Sequence, residues 1–280
     1  MALADDDDGV VATVDTISWW MIYVSIPTFL FLYFVVPAPY GKLFDSSKNN
    51  TLSVLYGPKF PARWAWFLFE SPNLIWAAYC WRKHLQQQPS PTSPANYILF
   101  CFFVAHYIQR DIYYPLCMSR KSKPVPLLVM LSALIYTSFN GFIQCQSLLF
   151  IQEFPPDWHF KSMQFLAGMA IAMAGAWINL TSDAILRGLR AQRQLSDHDS
   201  GYEIPQNGFF RLVSTPHYFG EIIEWVGFAI ACQGSLPSIA FAIYTASNLI
   251  PRGVAQHAWY KSHFGDKYPK ERKAVVPFLW

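Results

Sequence analysis

The chain of 280 residues is 53% hydrophobic and 18% aromatic, with only 14% charged residues and a formal net charge of +3. A soluble domain carries roughly 25% charge, so the composition points to several membrane spans and gives no basis for a nucleic-acid partner. The five cysteines (Cys80, Cys101, Cys117, Cys145, Cys232) form no C-x-x-C, which suggests neither a disulfide framework nor a metal site.

In chain order, the start Met1-Ala-Leu-Ala-Asp-Asp-Asp-Asp8 is acidic, opposite in sign to a signal-peptide n-region. Seven apolar segments follow, at 16–36, 62–82, 95–118, 125–151, 160–187, 216–233 and 235–256. Most approach the ~20 residues that cross a bilayer core. Trp19, Trp20, Tyr40, Trp64, Trp81 and Trp158 sit near segment ends, as an interfacial belt requires. The stretch 86–94 is a polar, proline-rich connection, and Gly234-Ser-Leu-Pro237 reads as a tight turn. With the amino terminus outside, inside loops hold seventeen of the 21 Lys and Arg residues. Outside loops hold Arg82, Lys83 and Lys161, and Arg110 lies within a segment. The expectation is therefore an all-α integral membrane protein, a single domain over 1–280. Its seven transmembrane helices would have the amino terminus lumenal or external and the carboxyl terminus cytoplasmic. Asn49-Asn-Thr51 then falls in a cytoplasmic loop and Asn179-Leu-Thr181 in a helix, so neither is expected to carry glycan.

Ionisable groups inside membrane segments are costly unless partnered or facing a polar cavity. The second segment carries Glu70 among aromatics, read as a neutral acid able to donate a hydrogen bond. The third carries His106, Tyr107, Arg110 and Asp111; the last two can neutralise each other, and Tyr107 beside Glu70 would make a two-donor clamp for a carbonyl oxygen. In the fifth, Asn179, Asp183, Arg187 and Arg190 draw one polar stripe down a helix. Thr215 is a candidate N-cap ahead of Pro216, and Glu221 and Glu224 share a helical face that lines a polar pocket or reaches interfacial water. Arg252, Gln256 and Tyr260 recur at intervals of four in the last segment. Basic inside loops suit either acidic lipid headgroups or a phosphorylated cofactor. No G-x-G-x-x-G exists, so any nucleotide must bind within the bundle. The seven histidines are too dispersed for a diiron centre, and no metal is expected.

Pro39-Tyr-Gly-Lys42, Pro61-Ala-Arg63, Trp66-Phe-x-x-Glu70-x-Pro72, His106-Tyr-x-x-Arg110 and Asn179-x-x-Ser-Asp183 continue as Tyr202-x-Ile-Pro-Gln-x-Gly208, Gly220-Glu-Ile-Ile-Glu-Trp225 and Tyr268-Pro-Lys-x-Arg-Lys-Ala-x-x-Pro-Phe278. In these motifs the chain resembles the steroid 5α-reductase family over nearly its whole length. The resemblance implies seven helices, NADPH entering from the cytoplasmic side, and reduction of the 4,5 double bond of a 3-oxo-Δ4-steroid. It implies that Glu70 and Tyr107 hold the ketone oxygen, and that Trp225 walls the steroid pocket. It places Asn179, Asp183, Arg190, Tyr202, Glu221, Arg252, Tyr260 and Arg272 around the cofactor, with Lys42, Arg110 and Lys123 facing it or its phosphates. The substrate would enter sideways from lipid into a monomer. The membrane would be the endoplasmic reticulum in a eukaryote and the inner membrane in a bacterium. Three positions depart from the family pattern: Phe69 stands where glutamine is frequent, His217 replaces an asparagine, and Gln256 replaces a histidine. Two other readings are a membrane S-adenosylmethionine-dependent lipid or prenylcysteine methyltransferase and a non-enzymatic sterol-binding protein.

Overall fold

The computed structural model describes residues 2–35, 56–87, 92–119, 122–195 and 202–279. Among these, seven long helices account for all seven apolar segments. They are α1 (Ala2–Leu30), α2 (Ala62–Gln87), α3 (Pro94–Tyr107), α4 (Leu127–Gln146), α6 (Met163–Leu195), α7 (Pro216–Ala231) and α8 (Leu236–Phe264), with a short α5 (Trp158–Lys161) before α6. Among the described residues, extended pairing is limited to a two-residue antiparallel pair and one isolated bridge, Val213 with Lys273. Strand β1 (Lys59–Phe60) meets β2 (Val125–Pro126), tying the approach to α2 to the approach to α4. Three stretches are long and apolar enough to cross a membrane by length and composition alone: Asp8–Val35, Leu127–Ile151 and Met163–Gln192. Their outer faces are apolar, with Trp20 61%, Phe34 73% and Trp177 60% exposed, as lipid contact requires.

Local chemistry explains each helix. In α1, the hydroxyls of Thr13, Thr16 and Ser18 donate to carbonyls one turn back at 2.8, 2.7 and 2.7 Å, which satisfies these donors within the helix itself. Pro27 removes an N–H, and the helix widens four residues later into a π-helical turn, Phe31–Val35. Pro72 does the same inside α2. The Leu68 carbonyl that would have met a residue-72 N–H accepts instead from the Ser71 hydroxyl at 3.0 Å. Glu70 thus sits on a proline-perturbed turn. Helix α3 begins with a capping box. Ser93 Oγ accepts from Ala95 N at 3.3 Å, and Asn96 Oδ1 accepts from Ser93 N at 3.1 Å. It runs on through a π-helical turn at Ile108–Tyr113 and a last turn at Tyr114–Leu116.

Helices α6 and α7 pack backbone to backbone. A Cβ at Gly175 would lie 2.6 Å from the Gly220 carbonyl, and one at Gly220 would lie 2.7 Å from the Gly175 carbonyl. Gly168 and Gly227 repeat the contact one heptad away. With little hydrophobic driving force between helices in lipid, such close approach supplies dispersion contact that larger residues would block. Elsewhere the core is aromatic, with Leu99, Phe103, Trp225, Phe228 and Phe241 in one buried cluster.

Several boundaries differ from the sequence reading. α1 begins at Ala2 rather than 16, α6 extends to Leu195 rather than 187, and α8 to Phe264 rather than 256. A hydropathy pattern ends where charge begins, whereas a helix continues past the bilayer into water. The segment at 160–187 is split at Ser162, which leaves the helical region and caps α6, its Oγ accepting from Phe165 N at 3.2 Å. The turn between α7 and α8 also falls earlier than expected. Gln233 and Gly234 carry positive φ (57° and 69°), and Pro237 already lies in the first turn of α8.

Candidate active site

One cavity of about 160 Å³ opens among α2, α3, α4, α7 and α8. Glu70, from the perturbed turn of α2, and Tyr107, from the end of α3, both line it. So do Arg110, Glu221 and Arg252. Its apolar wall includes Trp66, Phe69, Val129, Phe241 and Leu249. A cavity with apolar surface and convergent polar groups is the arrangement expected of a small-molecule site.

Arg110 organises the polar side. Its guanidinium lies 3.2 Å from Glu221 Oε2 and 3.5 Å from Asp183 Oδ2, and it stacks over the rings of Trp66 at 4.8 Å and Tyr114 at 5.2 Å. Asn179 Nδ2 donates to the same Glu221 oxygen at 3.2 Å and to the His217 carbonyl at 3.0 Å. The glycine seam between α6 and α7 brings Asn179 and Asp183 this close to Glu221. Arg110 and Asp111 do not pair. The π-helical turn carries both, and Asp111 is buried with its Oδ1 free of any hydrogen bond among the described residues.

The acids of α7 have separate roles. Glu221 faces the cavity, whereas Glu224 is 2% exposed and binds His106 Nδ1 at 2.7 Å. Thr215 does not cap α7 through its side chain. Its hydroxyl donates to the Ala274 carbonyl at 2.9 Å, because the carboxyl-terminal segment lies against this loop. That segment is held by Lys273 N to Leu212 O at 2.9 Å and Ser214 N to Lys273 O at 2.8 Å. Ser214 Oγ lies 2.6 Å from both His257 Nδ1 and the Tyr268 hydroxyl.

The remaining sequence-derived positions are spread around this centre. Trp225 is 1% exposed and lies behind the cavity wall. Its ring is 4.1 Å from Phe241, 4.6 Å from His106 and 6.3 Å from Tyr107. Tyr260 is buried and stacks on Tyr268 at 5.4 Å, and Arg272 lies over the same Tyr268 ring at 5.1 Å. Tyr202 is more exposed and meets Trp259 edge-on at 4.9 Å. Arg190 is exposed and Lys123 half-buried, both outside the cavity wall. Lys42 lies outside the described residues. A phosphorylated cofactor fits the donors present. Arg272 is 4% exposed, yet its Nε and Nη1 have no hydrogen-bond partner among the described residues, and neither does Arg187 Nη1. Buried unpaired guanidinium N–H groups are costly unless an anion meets them.

The sequence reading missed the contribution of α4. Tyr136 and Thr137 line the cavity, as do Tyr244, Thr245 and Asn248 of α8. The buried Asn140 donates to the Tyr107 hydroxyl oxygen at 3.1 Å. The signal was readable: Tyr136, Asn140 and Gln144 recur every four residues in an otherwise apolar segment.

Comparison with known proteins follows the same lines. Residues 123–280 match the family model for 3-oxo-5-alpha-steroid 4-dehydrogenase. The chain is 36% identical over 263 residues to steroid 5-alpha-reductase DET2 of Gossypium hirsutum, covering 92% of this chain and 93% of that one. It is 37% identical over 223 residues to 3-oxo-5-alpha-steroid 4-dehydrogenase 1 of Rattus norvegicus (80% and 82% covered). To the protein of that name from Homo sapiens it is 38% identical over 242 residues (84% and 89% covered). With its mostly helical, membrane-embedded fold and a polar-lined cavity at its centre, the chain belongs to the 3-oxo-5-alpha-steroid 4-dehydrogenase family.

Proposed function

We propose that this protein reduces the 4,5 double bond of 3-oxo-Δ4-steroids to 5α-3-oxosteroids, with NADPH as reductant. The observation that carries the reading is the shared cavity: Glu70 and Tyr107, on different helices, line one chamber that also has an apolar patch of Trp66, Phe69, Phe241 and Leu249. A flat steroid with a single ketone needs that division of surfaces. NADPH, when bound, supplies a hydride to C5. Negative charge then develops on the C3 ketone oxygen, Glu70 in its acid form and Tyr107 hold that oxygen with hydrogen bonds already in position, and a proton taken up at C4 completes the reduction. Trp225 stiffens the steroid side of the site from behind Tyr107 and Phe241.

The proposed cofactor-binding residues are Lys42, Arg110, Lys123, Asn179, Asp183, Arg190, Tyr202, Glu221, Arg252, Tyr260 and Arg272. Supporting this are the Arg110–Glu221–Asp183–Asn179 cluster at the cavity and the unpaired buried N–H groups of Arg272. All seven long helices are proposed to cross the bilayer in one domain, with the amino terminus lumenal or external. The steroid enters from the lipid, and the enzyme acts as a monomer. The host membrane is the endoplasmic reticulum in a eukaryote and the inner membrane in a bacterium. The test is purification in detergent and incubation with NADPH and progesterone or testosterone. A product heavier by two hydrogens is expected; its absence with every 3-oxo-Δ4-steroid offered, from protein that unfolds cooperatively, overturns the proposal.

A further inference from the structure

Behind the cavity wall, three side-chain amides form a fully buried chain: Asn73 and Asn140 are 0% exposed and Gln144 is 1% exposed. Main-chain carbonyls at both ends fix its polarity. Gln144 Nε2 donates to the Pro237 carbonyl at 2.8 Å, and a carbonyl only accepts. The same nitrogen lies 3.4 Å from Asn140 Oδ1, so the Asn140 oxygen faces Gln144 and its nitrogen faces the other way. At the far end Asn73 Nδ2 donates to the Glu70 carbonyl at 3.3 Å, which leaves Asn73 Oδ1 to accept from Asn140 Nδ2 at 3.3 Å. The second Asn140 N–H reaches the Tyr107 hydroxyl oxygen at 3.1 Å. Both of its hydrogens are therefore committed, and the Tyr107 oxygen must accept from it. The proton of Tyr107 has to point elsewhere, and Tyr107 borders the cavity.

We infer that Asn140 is a positioning residue: it aims the Tyr107 proton into the cavity. A donor on the phenol oxygen also strengthens the hydrogen bond that the phenol gives, since chains of hydrogen bonds polarise one another. The inference rests on the proposed role of Tyr107 as a donor to the ketone.

The experiment is a double-mutant cycle between Asn140→Asp and Tyr107→Phe. Asn140→Asp keeps the shape but replaces the NH2 group, with both its N–H donors, by one acceptor oxygen, so Tyr107 turns its proton towards residue 140. We expect kcat for progesterone to fall about tenfold or more, towards the roughly 10²- to 10³-fold general for one lost oxyanion donor, with KM changed less than twofold. Tyr107→Phe should be slow alone, and adding Asn140→Asp to it should cost nothing further, because the two act through one hydroxyl. The infrared carbonyl stretch of bound progesterone should rise in frequency in both single variants. If Asn140→Asp does not fold, Asn140→Leu serves in the same cycle. Full additivity, or native turnover in the residue-140 variants beside a slow Tyr107→Phe, overturns the inference and leaves the role of Tyr107 intact. Native turnover in Tyr107→Phe removes both.

Discussion

Arg110 and Glu221, 111 residues apart in the chain, meet at 3.2 Å inside the helical bundle. Asp183 is the third member, 3.5 Å from the same guanidinium. All three side chains are at most 14% exposed, so each charge depends on the others. Replacing Arg110 by methionine leaves two buried carboxylates without their cation. The expected cost is about 3 to 5 kcal/mol, the usual penalty for breaking a buried pair from one side. Thermal unfolding in detergent measures it. Unchanged unfolding in Arg110→Met would mean that water, not the guanidinium, satisfies these acids.

The proposed chemistry separates binding from turnover. Glu70→Gln and Tyr107→Phe each remove one donor to the ketone oxygen. Removing such a donor typically costs about 10²- to 10³-fold in kcat. Protection against heat by NADPH should persist in both variants, since neither residue belongs to the proposed cofactor set. Loss of that protection would shift these side chains from the steroid to the cofactor.

The seam between α6 and α7 makes a packing prediction with a built-in control. Gly220→Ala puts a Cβ 2.7 Å from the Gly175 carbonyl, against backbone that has no room to give. Overpacking of this kind costs about 1 to 3 kcal/mol. Gly188, also in α6, has nothing within 4 Å of where its Cβ would stand. Gly188→Ala should be neutral or stabilising by up to about 1 kcal/mol through helix propensity. Equal melting temperatures for the two variants would argue against backbone contact at the seam.

His257 lies just past the proposed last span and predicts a dependence on pH. Burial first, then Lys261, Arg272 and Lys273, hold its proton affinity below the ordinary histidine value of 6.5. The folded protein therefore favours the neutral ring. The associated stability is fully present above 6.5 and is lost as pH falls through the lowered folded value. Melting temperature should drop as pH falls from 6.5 through that lowered value, and His257→Gln should flatten the drop. An identical pH profile in that variant would assign the effect to other groups.

Much of this was written in the order of residues. Hydropathy located all seven long helices, because a helix that meets lipid must be apolar along about 20 residues whatever it packs against. The stripes Asn179–Asp183 and Glu221–Glu224 were equally legible, since polar residues in such helices need a reason. Helix ends were not, because α6 and α8 run on as polar turns that carry no hydropathy signal.

What the sequence by itself determined, then, was which segments form long helices and which side chains needed partners. Tertiary structure alone decided who those partners are. Arg110 turned from its neighbour Asp111 to Glu221 and Asp183, Glu224 took His106, and Thr215 gave its hydroxyl to Ala274 rather than to its own helix. Each of those choices follows from where two helices or the carboxyl-terminal segment come close, and local spacing carries no information about contacts made far along the chain.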